Sequence, residues 1–355
     1  MTENDNNEAQ GWDAIDQAVE EIYGEQQPAH YGTLIPYVLG GDDPLDGISV
    51  YKSEEPVAHW HFVTYGFSEL YEKESDNAEV SGYGFELTFR LVRDASEEEP
   101  PAWALNLLQN MGRYVFNSGN VFHSGDYLDA NGPICLDSDT SLTALAFISD
   151  VQLSTMDTPN GQVEFIQMVG ITEDELEAIQ TWNTRGFLAA CQSYMPYYIT
   201  KLERQSLLAK QEIQKAITQG IEQDGSSTGY LFNDQLAWQA SEKKLLSQKP
   251  AQLTIGAKQA EIIRKIIKGR LLKNKTLILV GQHAQITLAV GDEVAIQEDE
   301  NGVTLILNHE AIAELDTILE TKEKTVQLST TKDLQIHIVK THIKDGDGNV
   351  VETIG

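Results

Sequence analysis

The strongest constraint on the fold is an alternation of apolar and polar residues over positions 83–93. Apolar side chains occupy every second position: Phe85, Leu87, Phe89 and Leu91 alternate with Glu86, Thr88 and Arg90. Because successive side chains of a strand point to opposite faces, this pattern predicts a β-strand. It further predicts that the apolar face is buried and that the polar face contacts solvent.

Other segments show either strand patterns or helical spacing of apolar residues. Strands are predicted near residues 59–66, 142–151, 163–169, 276–280, 286–290, 303–307 and 334–343. Helices are predicted near residues 12–23, 100–116, 172–182, 205–220, 259–268 and 311–319. Strands and helices are mixed without a strict βαβ rhythm. The predicted fold class is therefore α/β (α+β), with mostly antiparallel or mixed sheets packed against helices.

The 355 residues suggest two domains of ordinary size. Residues 243–275 contain ten Lys and Arg but a single acid, Glu261, and aromatic residues become rare beyond Trp238. This change in composition predicts a boundary between Ala240 and Pro250. We expect a disordered tail at 1–10, a first domain at 11–240 and a second domain at 250–355.

The net charge of −30 lies almost entirely in the first part of the chain. Residues 1–200 contain 34 acidic and 6 basic residues. Such a field repels nucleic acids, whose binding proteins need cationic surfaces, so a nucleic-acid ligand is not expected. The same field would attract a partner protein with a basic segment, although it would also serve solubility alone.

The sequence also argues against a membrane protein or a secreted protein. No apolar run approaches the roughly 18 residues that a spanning helix needs, and the acidic start does not resemble a signal peptide. Cys135 and Cys191 are too few for a disulfide framework or a structural zinc site. We therefore expect a cytoplasmic protein.

No sequence motif specifies a reaction. Motifs typical of phosphate-binding loops, zinc proteases and serine hydrolases do not occur. His59 and His61 would share one face of a strand, which leaves two interpretations: a structural histidine pair, or a metal-dependent hydrolase that also uses Asp126. A thiol nucleophile, Cys135 or Cys191 with His123 and Asp126, lacks any local signature. We expect neither an enzyme nor a cofactor nor a metal.

Aromatic and small polar residues cluster at the end of the helix predicted at 100–116 and just after it. They are Arg113, Tyr114, Val115, Phe116, Phe122, His123, Ser124, Gly125 and Asp126. Tyrosine provides a rigid amphipathic contact and aspartate accepts hydrogen bonds, so the cluster has the composition of a recognition pocket. Packing at a helix end would explain the same residues.

Several longer segments occur in a recognisable order over residues 22–229. They include LGGDDPLD (39–46), HWH (59–61), YGFSELY (65–71), SGYGFELTFRL (81–91), RYVF (113–116), SGD (124–126), QMVG (167–170), QTWN (180–183) and GIEQDGS (220–226). In this order they resemble the Suppressor of fused family. The segment GRLL (269–272), followed by a predicted hairpin, resembles the C-terminal domain of that family.

The resemblance implies a non-enzymatic, two-domain clamp. In animal members the domains close around a short peptide of a Gli-type zinc-finger transcription factor. That peptide lies as an added strand and is held by a tyrosine and an aspartate, which correspond to Tyr114 and Asp126. In the second domain a pocket-lining leucine corresponds to Ile262. An acidic contact corresponds to Lys258, which reverses the charge.

The same resemblance leaves the kind of partner open. The chain lacks the long disordered insert of the animal proteins and looks like compact bacterial members, several of which are thought to be immunity proteins of polymorphic toxin systems. The alternative partner is thus a toxin domain. A further possibility is that the basic stretch 243–275 docks on the acidic first domain of the same chain.

Overall fold

Residues 9–35, 37–136, 138–244, 247–300, 302–344 and 349–355 are described by the computed structural model. They divide into two units. The first comprises the chain up to Leu176 together with Thr184–Gln214, and the second comprises Glu177–Asn183 together with Lys215–Gly355. Most of the predicted tail, and positions 245–246 of the predicted boundary, lie outside the described residues.

The described helices overlap the six predicted segments, with the one predicted at 205–220 starting later, at Gln211, and they include a helix at Thr184–Cys191 that was not predicted. In chain order they are α1 (Gln10–Tyr23), α2 (Ala102–Ser118), α3 (Glu173–Thr181), α4 (Thr184–Cys191), α5 (Gln211–Asp224), α6 (Ala257–Leu271) and α7 (His309–Ile318). Helix α1 ends at Gly24, whose φ of +58° costs a glycine little. None of the described helices is both long enough and apolar enough to cross a membrane.

The first unit is built on a mixed sheet, which has eight strands within the described residues. Its strands are β1 (Ala29–Gly32), β2 (Gly47–Ser53), β3 (His59–Tyr65), β4 (Val80–Val92), β5 (Tyr127–Asp129), β6 (Leu142–Ser149), β7 (Met156–Thr158) and β8 (Gly161–Thr172). They follow the order β1-β2-β3-β4-β8-β6-β5, and β7 pairs with β8. Strands β4 and β8 are parallel, whereas β6 pairs antiparallel with both β8 and β5. Among the described strands, β5 thus ends the sheet.

Two helices cover opposite faces of this sheet. Trp60 and Phe62 of β3 belong to the apolar cluster that contains residues of α2, whereas Val63 belongs to the cluster that contains Ile15 and Val19 of α1. The strand alternation therefore sends neighbouring residues into two separate cores.

The prediction that the polar face of β4 contacts solvent was wrong. Glu86, Thr88 and Arg90 are completely buried. Arg90 forms an ion pair with buried Asp150, which also accepts a hydrogen bond of 2.6 Å from the hydroxyl of Thr88. This face stays buried because its polar groups bind one another, which removes most of the desolvation cost.

The second unit contains two further mixed sheets. Its strands are β9 (Tyr230–Phe232), β10 (Ala237–Gln239), β11 (Glu242–Lys244), β12 (Ser247–Lys249), β13 (Ala251–Gly256), β14 (Leu277–Val280), β15 (Gln285–Val290), β16 (Ala295–Asp299), β17 (Gly302–Leu307), β18 (Lys324–Gln327), β19 (Leu334–Val339), β20 (Thr341–Lys344) and β21 (Val350–Ile354). One sheet has the order β10-β13-β19-β18 and the other β16-β17-β15-β14-β9. Strands β9 and β10, which precede the predicted boundary, therefore pair with strands that follow it. Helices α6 and α7 share the apolar core of this unit.

Candidate functional site

Tyr114 lies near the end of α2 and points partly into solvent, with 37% of its surface exposed. Its ring stacks on Phe122, with 5.7 Å between the ring centroids. Its hydroxyl accepts a hydrogen bond of 2.8 Å from the side-chain amide of Asn120. The ring therefore has one side held by the protein, and part of its surface remains available for a ligand.

Asp126 lies in a tight turn just before β5. Its Oδ2 accepts a hydrogen bond of 2.7 Å from the backbone N–H of His123 and lies 3.8 Å from Nδ1 of the same residue. The turn requires positive φ at Gly125, whose φ is +104°. The Asp126 side chain is 46% exposed, so the carboxylate is held in place and remains accessible.

Phe122 connects these two residues. Its ring stacks on Tyr114 and also on Phe147 of β6, with 4.1 Å between the centroids of Phe122 and Phe147. The chain then turns from Phe122 into Asp126, whose carbonyl accepts a hydrogen bond of 3.0 Å from the N–H of Phe147. The structure thus connects Tyr114 and Asp126 through the stacked rings of Phe122 and Phe147. These rings form one rigid base next to the end strand β5. We call Tyr114, Asn120, Phe122, His123 and Asp126 the 114–126 surface.

Lys258 and Ile262 lie one turn apart on α6 in the second unit, so they share a helix face. Ile262 is half-buried and packs partly against the apolar core of this unit. Lys258 is also half-buried, and its backbone N–H donates a hydrogen bond of 3.3 Å to the hydroxyl of Thr341. Both residues therefore have a partly accessible side chain.

The structure does not bring His59 and His61 together with Asp126. Both imidazoles are buried, and burial lowers the pKa of each to about 4. Nδ1 of His61 lies 2.8 Å from the hydroxyl of Tyr23, and Nε2 lies 3.6 Å from Asp150. Within the described ranges no group of three or more His, Cys, Asp or Glu would hold a metal ion. The geometry corresponds to a structural histidine pair.

The two cysteines are buried free thiols. Burial raises the pKa of Cys191 to about 12, which disfavours the thiolate that a nucleophile requires. The geometry therefore favours neither a metal-dependent hydrolase that uses His59 and His61 nor an enzyme with a cysteine nucleophile.

The cations of α6 have partners within their own unit. Nζ of Lys265 lies 2.9 Å from Glu177, and Nζ of Lys268 lies 2.5 Å from Asp316. Beyond the helix, Lys273 and Lys275 donate hydrogen bonds to backbone carbonyls at the end of α5. Lys265 and Lys268 are therefore paired with acids of the second unit, and Lys273 and Lys275 are bound to carbonyl groups of the same unit.

One cavity of the first unit was missed by the sequence analysis. It has a volume of about 610 Å³ and is lined by aromatic rings and carboxylates, among them Tyr37, Asp46, Tyr71, Tyr83 and Phe116. Most of these residues occur in the segments that carry the family resemblance. No periodicity joins them, however, so the chain pattern did not indicate a shared cavity.

Comparison with known proteins gives one consistent family. A family model for Suppressor of fused protein matches residues 41–205. The Suppressor of fused homolog of Homo sapiens is 35% identical over 234 residues, covering 61% of this chain and 48% of the human protein. The homolog of Mus musculus is 31% identical over 333 residues, covering 85% of this chain and 68% of the mouse protein. The match thus spans about half the length of the human relative.

Solved structures agree with this result. The crystal structure of Drosophila Suppressor of Fused superimposes with a TM-score of 0.79 at 24% identity, covering 95% of this chain and 99% of that chain. This likeness shows the fold. A chain in the crystal structure of the Sufu-Fu complex superimposes with a TM-score of 0.56 at 33% identity, covering 60% of this chain and 98% of that chain.

Proposed function

This chain belongs to the Suppressor of fused family, and from that premise we propose that it is a non-enzymatic protein of the cytoplasm that binds and sequesters a partner protein. The crystallised Sufu-Fu complex supports a protein as the ligand, because a chain 33% identical to this one occurs in it. We assign no reaction and no cofactor.

The observation on which this proposal rests is the exposure of Tyr114 and Asp126 on a rigid base. Anchor residues of protein interfaces are often aromatic, and they contribute most when the free protein already holds them in the binding conformation. Tyr114 is held by Phe122 and Asn120, and Asp126 is held by the turn that starts at His123. Both side chains therefore lose little conformational entropy when a partner binds.

We propose that the partner adds an extended segment beside β5. This strand is the end strand of the sheet and follows Asp126 directly. In strand addition, backbone hydrogen bonds supply affinity, while side-chain pockets select the sequence. Tyr114 and Asp126 would select the side chains that neighbour the added strand.

The proposal includes a second contact from Lys258 and Ile262, which follows from the family resemblance. Lys258 has the charge opposite to that of the family's acidic contact. We therefore propose that the partner of this chain differs in charge from the animal peptide at that contact.

The test of the 114–126 surface begins with affinity capture by the full chain and identification of the captured protein by mass spectrometry. Calorimetry then measures the affinity of that protein for Tyr114→Ala and Asp126→Ala. Each substitution should weaken binding by about 2 kcal/mol or more, roughly thirtyfold, at an unchanged melting temperature.

Two variants serve as matched controls. Tyr194→Ala removes a tyrosine that is 39% exposed, close to the exposure of Tyr114. Asp76→Ala removes an exposed aspartate on another loop. Equal losses for test and control variants, or a parallel loss of folding, would show that the surface is not the binding site.

Lys258→Glu tests the second contact. If the reversed charge selects the partner, this substitution should change the affinity at least about fivefold, whereas Lys322→Glu, at an exposed position of the same unit, should not. Equal effects of both variants would remove Lys258 from the site.

The identity of the captured protein decides between the roles: a toxin domain indicates immunity, and a transcription factor indicates regulatory sequestration.

A further inference from the structure

Among the described residues, five aromatic rings line the cavity of the first unit: Tyr37, Phe67, Tyr71, Tyr83 and Phe116. Phe116 lies at the centre of the group: its ring centroid is 5.5 Å from that of Tyr37 and 5.1 Å from that of Tyr83. Tyr71 also lines the cavity and is 51% exposed. The faces and edges of these rings form an apolar wall that opens to solvent.

Asp46 contributes a carboxylate to the same cavity. It is half-buried, and burial raises its pKa above the usual range for aspartate. Asp46 also helps to raise the pKa of Tyr71, an effect that comes first from burial of that hydroxyl. Both side chains line the same cavity, and the Asp46 carboxylate acts electrostatically on the Tyr71 hydroxyl.

Among the described residues, five carboxylates line the cavity; Glu72 and Glu74 are exposed to solvent, whereas the Asp46 side chain is half-buried and, unlike those of Asp43 and Glu69, has no partner. Glu69 binds Lys73 at 2.7 Å and the backbone N–H of Gly82 at 3.0 Å, and Asp43 forms an ion pair with Arg113. For the Asp46 side chain, the described part of the chain provides neither a hydrogen-bond donor nor an ion pair. A partly desolvated carboxylate of this kind gains most from an incoming cation.

We propose that this cavity binds an arginine side chain of the partner protein, with the guanidinium against Asp46 and its flat face on the tyrosine rings. This inference rests on the proposed function, because it names the chemistry of one residue in the bound partner. A guanidinium donates two parallel hydrogen bonds to a carboxylate and also stacks on aromatic faces. An ammonium group matches this combination less well.

Two observations favour an arginine in a polypeptide over a free small cation. The loop that supplies Tyr37 also presents Leu34, Ile35 and Leu39 to solvent, and Leu34 is fully exposed. Residues that flank the arginine would cover these apolar side chains. The first part of the chain also has a large excess of acidic residues, which attracts a basic segment.

The test uses the isotope-labelled full chain and a defined probe, the capped peptide acetyl-Gly-Arg-Gly-amide. Amide chemical shifts are followed by NMR as the peptide is added at millimolar concentrations. We expect saturable shifts at Gly66 and Gly82, which line the cavity. The matched peptide with citrulline, which keeps the shape but removes the charge, should bind at least about tenfold more weakly, and the lysine peptide about threefold more weakly.

Variants locate the site. Asp46→Asn should weaken the arginine peptide about tenfold, and Tyr71→Leu about threefold, whereas Asp76→Asn removes the same charge outside the cavity and should have no effect. Unchanged spectra at β3 confirm that each variant is folded. Equal binding of citrulline or lysine, or an unchanged affinity of Asp46→Asn, would overturn the assignment to arginine.

The failure of this inference is distinguishable from that of the proposed function. Tyr114→Ala should leave the peptide titration unchanged, because Tyr114 does not line the cavity. If the peptide fails to bind while Tyr114→Ala still weakens the captured partner, the arginine site is wrong and the proposed function stands. If the peptide binds but Tyr114→Ala leaves partner affinity unchanged, the proposed binding surface is wrong.

Discussion

Replacing Asp150 with asparagine tests whether the buried polar network supports the first unit. The side chains of Asp150 and Arg90 are both fully buried. Oδ1 of Asp150 accepts a hydrogen bond of 3.0 Å from Nη2 of Arg90, and Oδ2 accepts from Nη1 of the same guanidinium and from the hydroxyl of Thr88. The asparagine variant keeps the shape of the side chain and removes its charge.

These contacts determine how much free energy of unfolding the Asp150→Asn variant is expected to lose. Removing one partner of a buried ion pair costs about 3–5 kcal/mol, because the other charge stays buried without compensation. Asparagine retains one oxygen, which still accepts the backbone N–H groups of Gln152 and Leu153, now bound at 2.8 and 2.9 Å. Arg90 also keeps its neutral acceptor on Gln167 at 2.7 Å. We therefore expect a loss near the lower end of the range, about 3 kcal/mol.

Pulsed hydrogen exchange in a urea series measures this loss, because peptides from β4 and β13 report on the two units separately. The β4 transition should move to lower urea in Asp150→Asn, while the β13 transition serves as an internal control. Glu54→Gln provides the surface control: it breaks the ion pair with Arg93, but Glu54 is 71% exposed, so the loss should stay below about 1 kcal/mol.

The double variant Arg90→Met with Asp150→Asn tests whether the unpaired guanidinium of Arg90 causes the loss of stability. If an uncompensated guanidinium destabilises the single variant, the double variant should lose clearly less than the sum of the two single losses. A loss below about 1 kcal/mol for Asp150→Asn, or simple additivity, would refute the reasoning.

Two further predictions concern stability. Burial raises the pKa of Glu86 to about 7 despite hydrogen bonds from Thr64, Gly66 and Ser68. The folded first unit therefore binds a proton that the unfolded chain releases near pH 4.5, and its free energy of unfolding should fall as the pH rises from about 4.5 to 7. Urea midpoints of wild type and Glu86→Gln measure this slope, and an equal slope in both would contradict the assignment. In the second unit, a Cβ on Gly220 would collide with the ring of Trp182, whereas Gly132, in the first unit, has open space around it. Gly220→Ala should cost about 1–3 kcal/mol and Gly132→Ala almost nothing; equal urea midpoints for these two variants would exclude the predicted collision.

The sequence predicted secondary structure well wherever one local period dominates. The helix predicted at 100–116 is α2 (Ala102–Ser118), and the alternation at 83–93 lies in β4. The start of α3 is likewise local: the Glu175 carboxylate accepts the backbone N–H of Thr172 at 3.0 Å, as in a capping box. The Thr172 hydroxyl instead contacts Asp174. Such features depend on residues close together in the chain.

The burial of the polar residues of β4 could not be predicted from the local sequence pattern. Glu86, Thr88 and Arg90 have the alternation of a solvent-exposed face, yet this face is covered and its partners come from distant segments. Arg90 requires Asp150, which follows β6, and Gln167 of β8. A polar side chain in a strand pattern predicts solvent exposure unless it forms a hydrogen bond or an ion pair inside the protein. The sequence does not show which distant polar groups form such pairs.

By itself, the sequence determined the alternating elements, the acidic charge of the first part and the family, because each follows from the order of residues along the chain. It also named Tyr114 and Asp126 through the resemblance. Folding alone decided that Phe122 holds these residues on one base, and that Asp46, Tyr71 and Phe116 line one cavity. The physical reason is that such contacts join segments far apart in the chain, and their geometry exists once the sheet has been assembled.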